Sequence, residues 1–187
     1  MSERITMALK ATICKATLAV ADMDRPYYGT HSLTIARHPS ETAERMMVRM
    51  LAFGLHASER LQFGRGLSSD DEPALWERDD TGRILTWIEV GLPDERVLRR
   101  AAGRADNVVV YAYGGRAVDL WWQRSADTLA RVGNLAVHAV PPDGSAVLST
   151  LAGRNMQLHF TCQEGALWLA TDEKTAALQL LPVKSRD

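Results

Sequence analysis

The most constraining feature lies between residues 84 and 113, where two apolar runs flank a short amphipathic stretch. RILTWIEVGL reads as a strand, PDERVLRRAAGRA as a helix, and NVVVYAY as a strand buried on both faces. Pro93 suits the first helical position, and Asp94 and Glu95 suit a first turn whose free N–H groups favour acids. Strand, helix and strand joined this tightly form a βαβ unit, with parallel strands and a right-handed crossover. The expected fold class is therefore α/β, in the α+β sense of a mixed sheet with additional antiparallel strands.

The rest of the chain supplies those strands. Residues 6–21, TMALKATICKATLAVA, alternate polar and apolar and read as a long strand. A loop over 22–30 leads to an antiparallel strand, HSLTIARH, at 31–38. Ser40 is expected to cap a helix that runs to about His56, with Glu41 in its first turn and Met46, Met47, Met50, Leu51 and Phe53 on an apolar face. Residues 57–72 read as an exposed connection ending in Asp70-Asp71-Glu72-Pro73. ALWER, DDTG and RILTWIEVGL then make a hairpin. After Gly114-Gly115, AVDLWW is expected as a strand followed by a helix through Ala130, with a helix from the outset as the alternative. Further expectations are a strand at 135–140, a turn at 141–144, a helix at 145–153, and strands at 154–162, 166–170 and 175–180. No linker divides the 187 residues, so 1–187 is expected to be a single domain.

Charge narrows the function. Twenty-two basic residues against 23 acidic ones give a net charge of -1, which excludes a histone-like or ribosomal-type protein and an acidic disordered tail. Nucleic acid could be held only by a local patch. Eighteen of the basic residues are arginine, and no lysine lies between positions 16 and 173, a bias that genomic base composition explains. A site in the middle of the chain must therefore work without lysine, or borrow Lys10 or Lys15. Cys14 and Cys162 read as small buried residues, with no CxxC metal motif. No run of about 20 apolar residues is present, so no membrane span is expected. Lys10 and Lys15 break any signal-peptide core, and a reducing cytoplasm is the expected compartment.

The hairpin brings acids together. If its turn centres on Asp80-Thr81, residue 72 lies opposite residue 89. Asp71 or Glu72 then meets Glu89, and a slip of one residue exchanges the two. Glu89, between Ile88 and Val90, is costly unless paired, metal-bound or at the wet end of its strand. An acidic pair beside a helix N-terminus is a candidate cation site. Solvation, or pairing with an arginine of the next helix, is the alternative. Arg96, Arg100 and Arg104 recur every four residues as a stripe that is either a solvated face or a phosphate-contacting edge. Trp121-Trp122 reads as core, and GxGxxG, the P-loop, the GxSxG elbow and histidines at metal spacing are all absent.

The strings MALKATI, ARHPSET, ERMMVR, DEPALW, WIEVG and VVYAYGG, followed by WW, resemble the bacterial YaeQ family over essentially the whole chain. The resemblance implies a compact variant of the PD-(D/E)xK, restriction-endonuclease-like fold. On that pattern Glu44 looks like the helix acid, Asp71 with Glu72 beside it like the hairpin acid, and Glu89 like the first member of ExK, around Mg²⁺ or Mn²⁺. Gly91 stands where the lysine belongs, and Arg100, Arg104 or Lys10 are candidates to replace it, Arg104 entering the expected catalytic set. The implied functions are metal-assisted hydrolysis of nucleic-acid phosphodiesters from a degenerate site, a non-catalytic nucleic-acid-binding or adaptor role, or hydrolysis of another phosphate-containing substrate.

Overall fold

A computed structural model describes residues 10–65, 67 and 71–187. β1 (Thr12–Asp22) and β2 (Tyr27–Arg37) pair antiparallel from Thr12↔Arg37 to Asp22↔Tyr27. Residues 6–9 of the expected first strand lie outside the described residues. β2 begins four residues earlier than expected, because the Asp22 carboxylate accepts the Asp24 and Arg25 N–H groups and closes a tight turn.

α1 (Ala43–His56) is capped by Thr42, not Ser40: the Thr42 hydroxyl accepts the Arg45 N–H at 3.1 Å, while Ser40 engages Nδ1 of His38. Glu41 therefore precedes the helix instead of lying in its first turn. Met46 through Gly54 are all buried, so the middle of α1 packs on every side and not on one apolar face. At Gly54 a Cβ would meet the Phe160 ring at 2.5 Å, which is how closely the helix sits on the sheet beneath it. The connection after α1 is not wholly exposed, since it holds β3 (Leu61–Phe63) and the buried Ala57 and Leu61. Asp70 and Gly66 lie outside the described residues.

β4 (Leu75–Arg78) and β5 (Ile84–Val90) form the expected hairpin, two residues out of the expected register: Leu75 faces Ile88 and Trp76 faces Trp87. Asp79 gathers the N–H groups of Thr81 and Arg83 at 2.8 and 3.0 Å, which lengthens the turn, and a bulge between Glu77 and Arg78 adds the rest. A shift of two leaves every side chain on its expected face. α2 (Glu95–Ala102) is capped by Asp94, and β6 (Ala105–Ala112) runs parallel to β5, completing the βαβ unit. Arg104 lies beyond α2, so the arginine stripe is not wholly helical.

AVDLWW is helical throughout. α3 (Arg116–Leu129) starts directly after Gly114 and Gly115, whose φ values of 121° and 60° turn the chain out of β6 without a return strand. Val118, Trp121, Ser125 and Leu129 are its buried residues, at helical spacing. β7 (Leu135–Ala139) is parallel to β6. α4 (Pro142–Ser149) begins three residues earlier than expected, because Pro142 presets the first helical position. β8 (Asn155–Gln163), β9 (Ala166–Ala170) and β10 (Thr175–Gln179) fall where expected, and β11 (Leu181–Lys184) is an additional edge strand.

Among the described residues there are two mixed sheets and four helices. One sheet has the order β10-β9-β8-β1-β2, the other β11-β7-β6-β5-β4-β3. A single cluster of buried side chains, including Leu18, Phe53, Ile88, Val109 and Phe160, joins both sheets across α1. A second cluster, with Trp87, Leu98, Val108, Trp121 and Val137, packs α2 and α3 on the far face of the six-stranded sheet. Cys14 and Cys162 are buried and free. No helix among the described residues is long and apolar enough to cross a membrane.

Candidate functional site

A cavity of about 400 Å³ opens where β5 ends and α2 begins. This is the crevice outside the carboxyl ends of parallel strands, where α/β sheets commonly place ligands. Glu72, Glu89, Gly91 and Asp94 line it, together with Arg45 from α1 and Tyr113 from the end of β6. Its wall is braced by α3, since the Trp121 indole N–H donates to the Pro93 carbonyl at 2.8 Å.

Glu89 is half-buried, and the Trp87 indole N–H, two residues earlier on the same strand face, donates to its Oε1 at 2.8 Å. That donor fixes the orientation of the carboxylate. The Arg104 guanidinium lies over the Trp87 ring, 5.3 Å from its centre. Glu72 reaches the cavity from the segment ahead of β4, accepting the Arg65 N–H at 3.0 Å with the Arg65 guanidinium 3.6 Å away. Glu72 and Glu89 are thus brought together by the fold, although not as a direct cross-strand pair. Asp71 points elsewhere: its side chain is 82% exposed and lies 3.9 Å from Arg100. Of the two acids between which the register left a choice, Glu72 lines the cavity and Asp71 does not.

Glu44, the second residue of α1, does not line the cavity and acts on it only through its charge, felt at Tyr113. Burial raises the Tyr113 pKa, the Thr42 hydroxyl lowers it, and the charge of Glu44 adds to the increase. Among the described residues, no three or more His, Cys, Asp and Glu side chains gather closely enough to hold a metal ion. The expected set Glu44, Asp71, Glu72 and Glu89 is therefore not an all-protein cage.

The basic group of this cavity escaped the sequence reading. Arg100 and Arg104 are occupied at Asp71 and Trp87, and Lys10 is exposed ahead of β1; none of the three lines the cavity. Arg45 does. Its Nη1 donates to Glu41 at 2.8 Å, and Glu41 also accepts from the buried Arg49 at 2.6 Å. The signal was available, because Glu41, Arg45 and Arg49 recur at a spacing of four. Inside an apolar helix that spacing marks a charged stripe that must be satisfied within the fold.

The family described as YaeQ protein matches residues 7–180. The chain belongs to the YaeQ family. It is 49% identical to "Uncharacterized protein YaeQ" of Salmonella typhi over 174 residues, covering 93% of this chain and 96% of that one. It is 48% identical to the protein of the same name from Escherichia coli K12, with the same coverage. Among solved structures, the YaeQ protein of Xanthomonas axonopodis pv. citri superposes with a TM-score of 0.90 at 44% identity, covering 94% of this chain and 99% of that one. The YaeQ protein of Pseudomonas syringae gives 0.89 at 38% identity, with coverage of 94% and 97%. The YaeQ resemblance read from the sequence is borne out, and its mixed α/β fold is that of these structures.

Proposed function

We propose that this YaeQ family member holds a divalent cation of the Mg²⁺ or Mn²⁺ type at Glu72 and Glu89 and uses it to engage a nucleic-acid phosphodiester, as a variant of the PD-(D/E)xK pattern. The observation that carries this reading is the convergence of Glu72, Glu89 and Arg45 on one cavity at the end of β5. Two carboxylates suit Mg²⁺, which is usually held by one or two acids plus water and substrate phosphates. When bound, such a cation polarises a phosphoryl oxygen and neutralises charge on the leaving group.

The chain's own residues set the rest. Trp87 orients Glu89, Arg65 orients Glu72, and Glu44 adds negative potential from α1. Arg45 supplies positive charge next to the phosphate, but its bond to Glu41 limits its reach, and arginine is a poor proton carrier. No lysine stands beside Glu89 to orient water. These two features favour binding, with cleavage slow or absent. Loss of one charge-stabilising group commonly costs about 10²–10³ in rate.

Calorimetric titration with Mn²⁺ tests the site. Wild type is expected to bind one equivalent in the presence of a short oligonucleotide, with the heat lost in Glu89→Ala and reduced in Glu72→Ala. Identical binding in wild type and both variants would overturn the assignment. Brisk cleavage by wild type would instead refute the degenerate character of the site.

A further inference from the structure

The five-stranded sheet has a second face that the cation site does not use. Cys14, Leu18, Met156 and Phe160 point into the core, and α1 and α4 pack on that side. The alternate residues look outward: those from Ile13 to Ala21, Tyr28 to Ala36, Asn155 to Gln163, Ala166 to Ala170 and Thr175 to Gln179. Not one of them is an aspartate or glutamate, in a chain that carries 23. Their one full charge is Lys15.

Register aligns this face in rows. Thr34, Lys15 and Asn155 lie side by side, and Ser32, Thr17 and Gln157 form the next row. All six border one depression of about 430 Å³. None of the six side chains makes a hydrogen bond to another described residue. Two rows further on, Tyr28, Ala21, Thr161 and Trp168 align. Tyr28 is 66% exposed, and three strand spacings put it about 14 Å from Trp168. His159 occupies the row between.

The chemistry of this surface is selective. Every side chain of the polar rows can donate a hydrogen bond and none of them is a carboxylate, although Asn155 and Gln157 also border an adjoining depression with Asp172, Glu173 and Lys174. A phosphate, which only accepts, fits such a patch. Tyr28 is exposed and Trp168 half-buried on this face, and rings on a sheet face are a recurrent platform for stacked bases, with stacking that tolerates any sequence.

We propose that this face binds single-stranded nucleic acid, with phosphates over Lys15 and its neighbouring rows and bases on Tyr28 and Trp168. The proposal is independent of the cation cavity, which belongs to the other sheet. The test is fluorescence anisotropy of a short labelled RNA or DNA strand on the full chain, in chelator and at low salt, so that no divalent cation contributes. Wild type is expected to bind, with affinity falling as salt rises. Lys15→Glu should weaken binding about tenfold or more, and Tyr28→Ala about tenfold, the latter at an exposed position that does not threaten folding. Trp168→Ala, checked for an unchanged circular dichroism spectrum, should behave like Tyr28→Ala. Any of four results would overturn the proposal: no binding by wild type, wild-type binding in both Lys15→Glu and Tyr28→Ala, preference for the matching duplex, or binding that requires Mn²⁺ and disappears in Glu89→Ala.

Discussion

At Gly91 one backbone angle bears on the chemistry. Its φ of 101° lies in a region that side chains with a Cβ rarely adopt, and β5 has already ended at Val90. A lysine at this position would be strained and would leave the chain outside the strand that normally aims it. Gly91→Lys is therefore expected to lower stability by about 1–2 kcal/mol, measured by urea denaturation, and to gain no Mn²⁺-dependent cleavage. Vigorous cleavage by that variant would show that the missing amine alone separates this site from an active nuclease. Glu89 was legible as an acid in need of a reason, since it interrupts an apolar strand. Trp87 was legible two residues earlier on the same strand face, but not as a hydrogen-bond donor to Glu89, because that depends on a side-chain rotamer set by the surrounding packing.

α1 is the element that links core and site. It buries Arg49 at 1% exposure and Glu41 at 4%, with Arg45 sharing the same carboxylate. Burial lowers the Arg49 pKa, and the adjacent Glu41 charge opposes that shift without cancelling it. Among the described residues Nε of Arg49 has no hydrogen-bond partner, and Glu41 is the anion that both guanidiniums share. Glu41→Ala is expected to cost about 3–5 kcal/mol in urea unfolding, because it strands a buried charge. Arg45→Ala leaves the Glu41–Arg49 pair intact and should cost clearly less; equal losses would contradict this division of roles. The helix was legible from its apolar residues and from the break at Pro39. Its cap was not, since Ser40 is by type the better cap and only its bond to His38 leaves the role to Thr42.

Across the molecule, α1 ends against the six-stranded sheet through a half-buried histidine. Nε2 of His56 lies 2.6 Å from the Tyr111 hydroxyl, and the Tyr111 ring stacks on His138. Burial, with help from the charge of Arg25, lowers the His56 pKa from 6.5 to about 3, and burial lowers that of His138 as well. The folded state therefore keeps His56 neutral at a pH where the unfolded chain protonates it. Its contribution is fully present above the unfolded value near 6.5 and is lost as pH falls toward about 3. Stability should be flat above about pH 7 and decline below 6.5, with a slope approaching about 1.4 kcal/mol per pH unit for each such proton. Thermal denaturation between pH 7 and 5, where ordinary carboxylates stay ionised, is the diagnostic window. His56→Gln should be less stable at neutral pH and show a shallower slope, and an unchanged slope would remove His56 from this role. By itself the sequence determined the βαβ unit, most of the strands and helices, the family and the acids worth watching, because apolar periodicity and turn residues act over a few neighbours. Only the tertiary structure decided the hairpin register, the helical start of α3, the outward turn of Asp71 and the arrival of Arg45 at the cavity. Each of these depends on a contact between distant segments or on a backbone angle that no local pattern encodes.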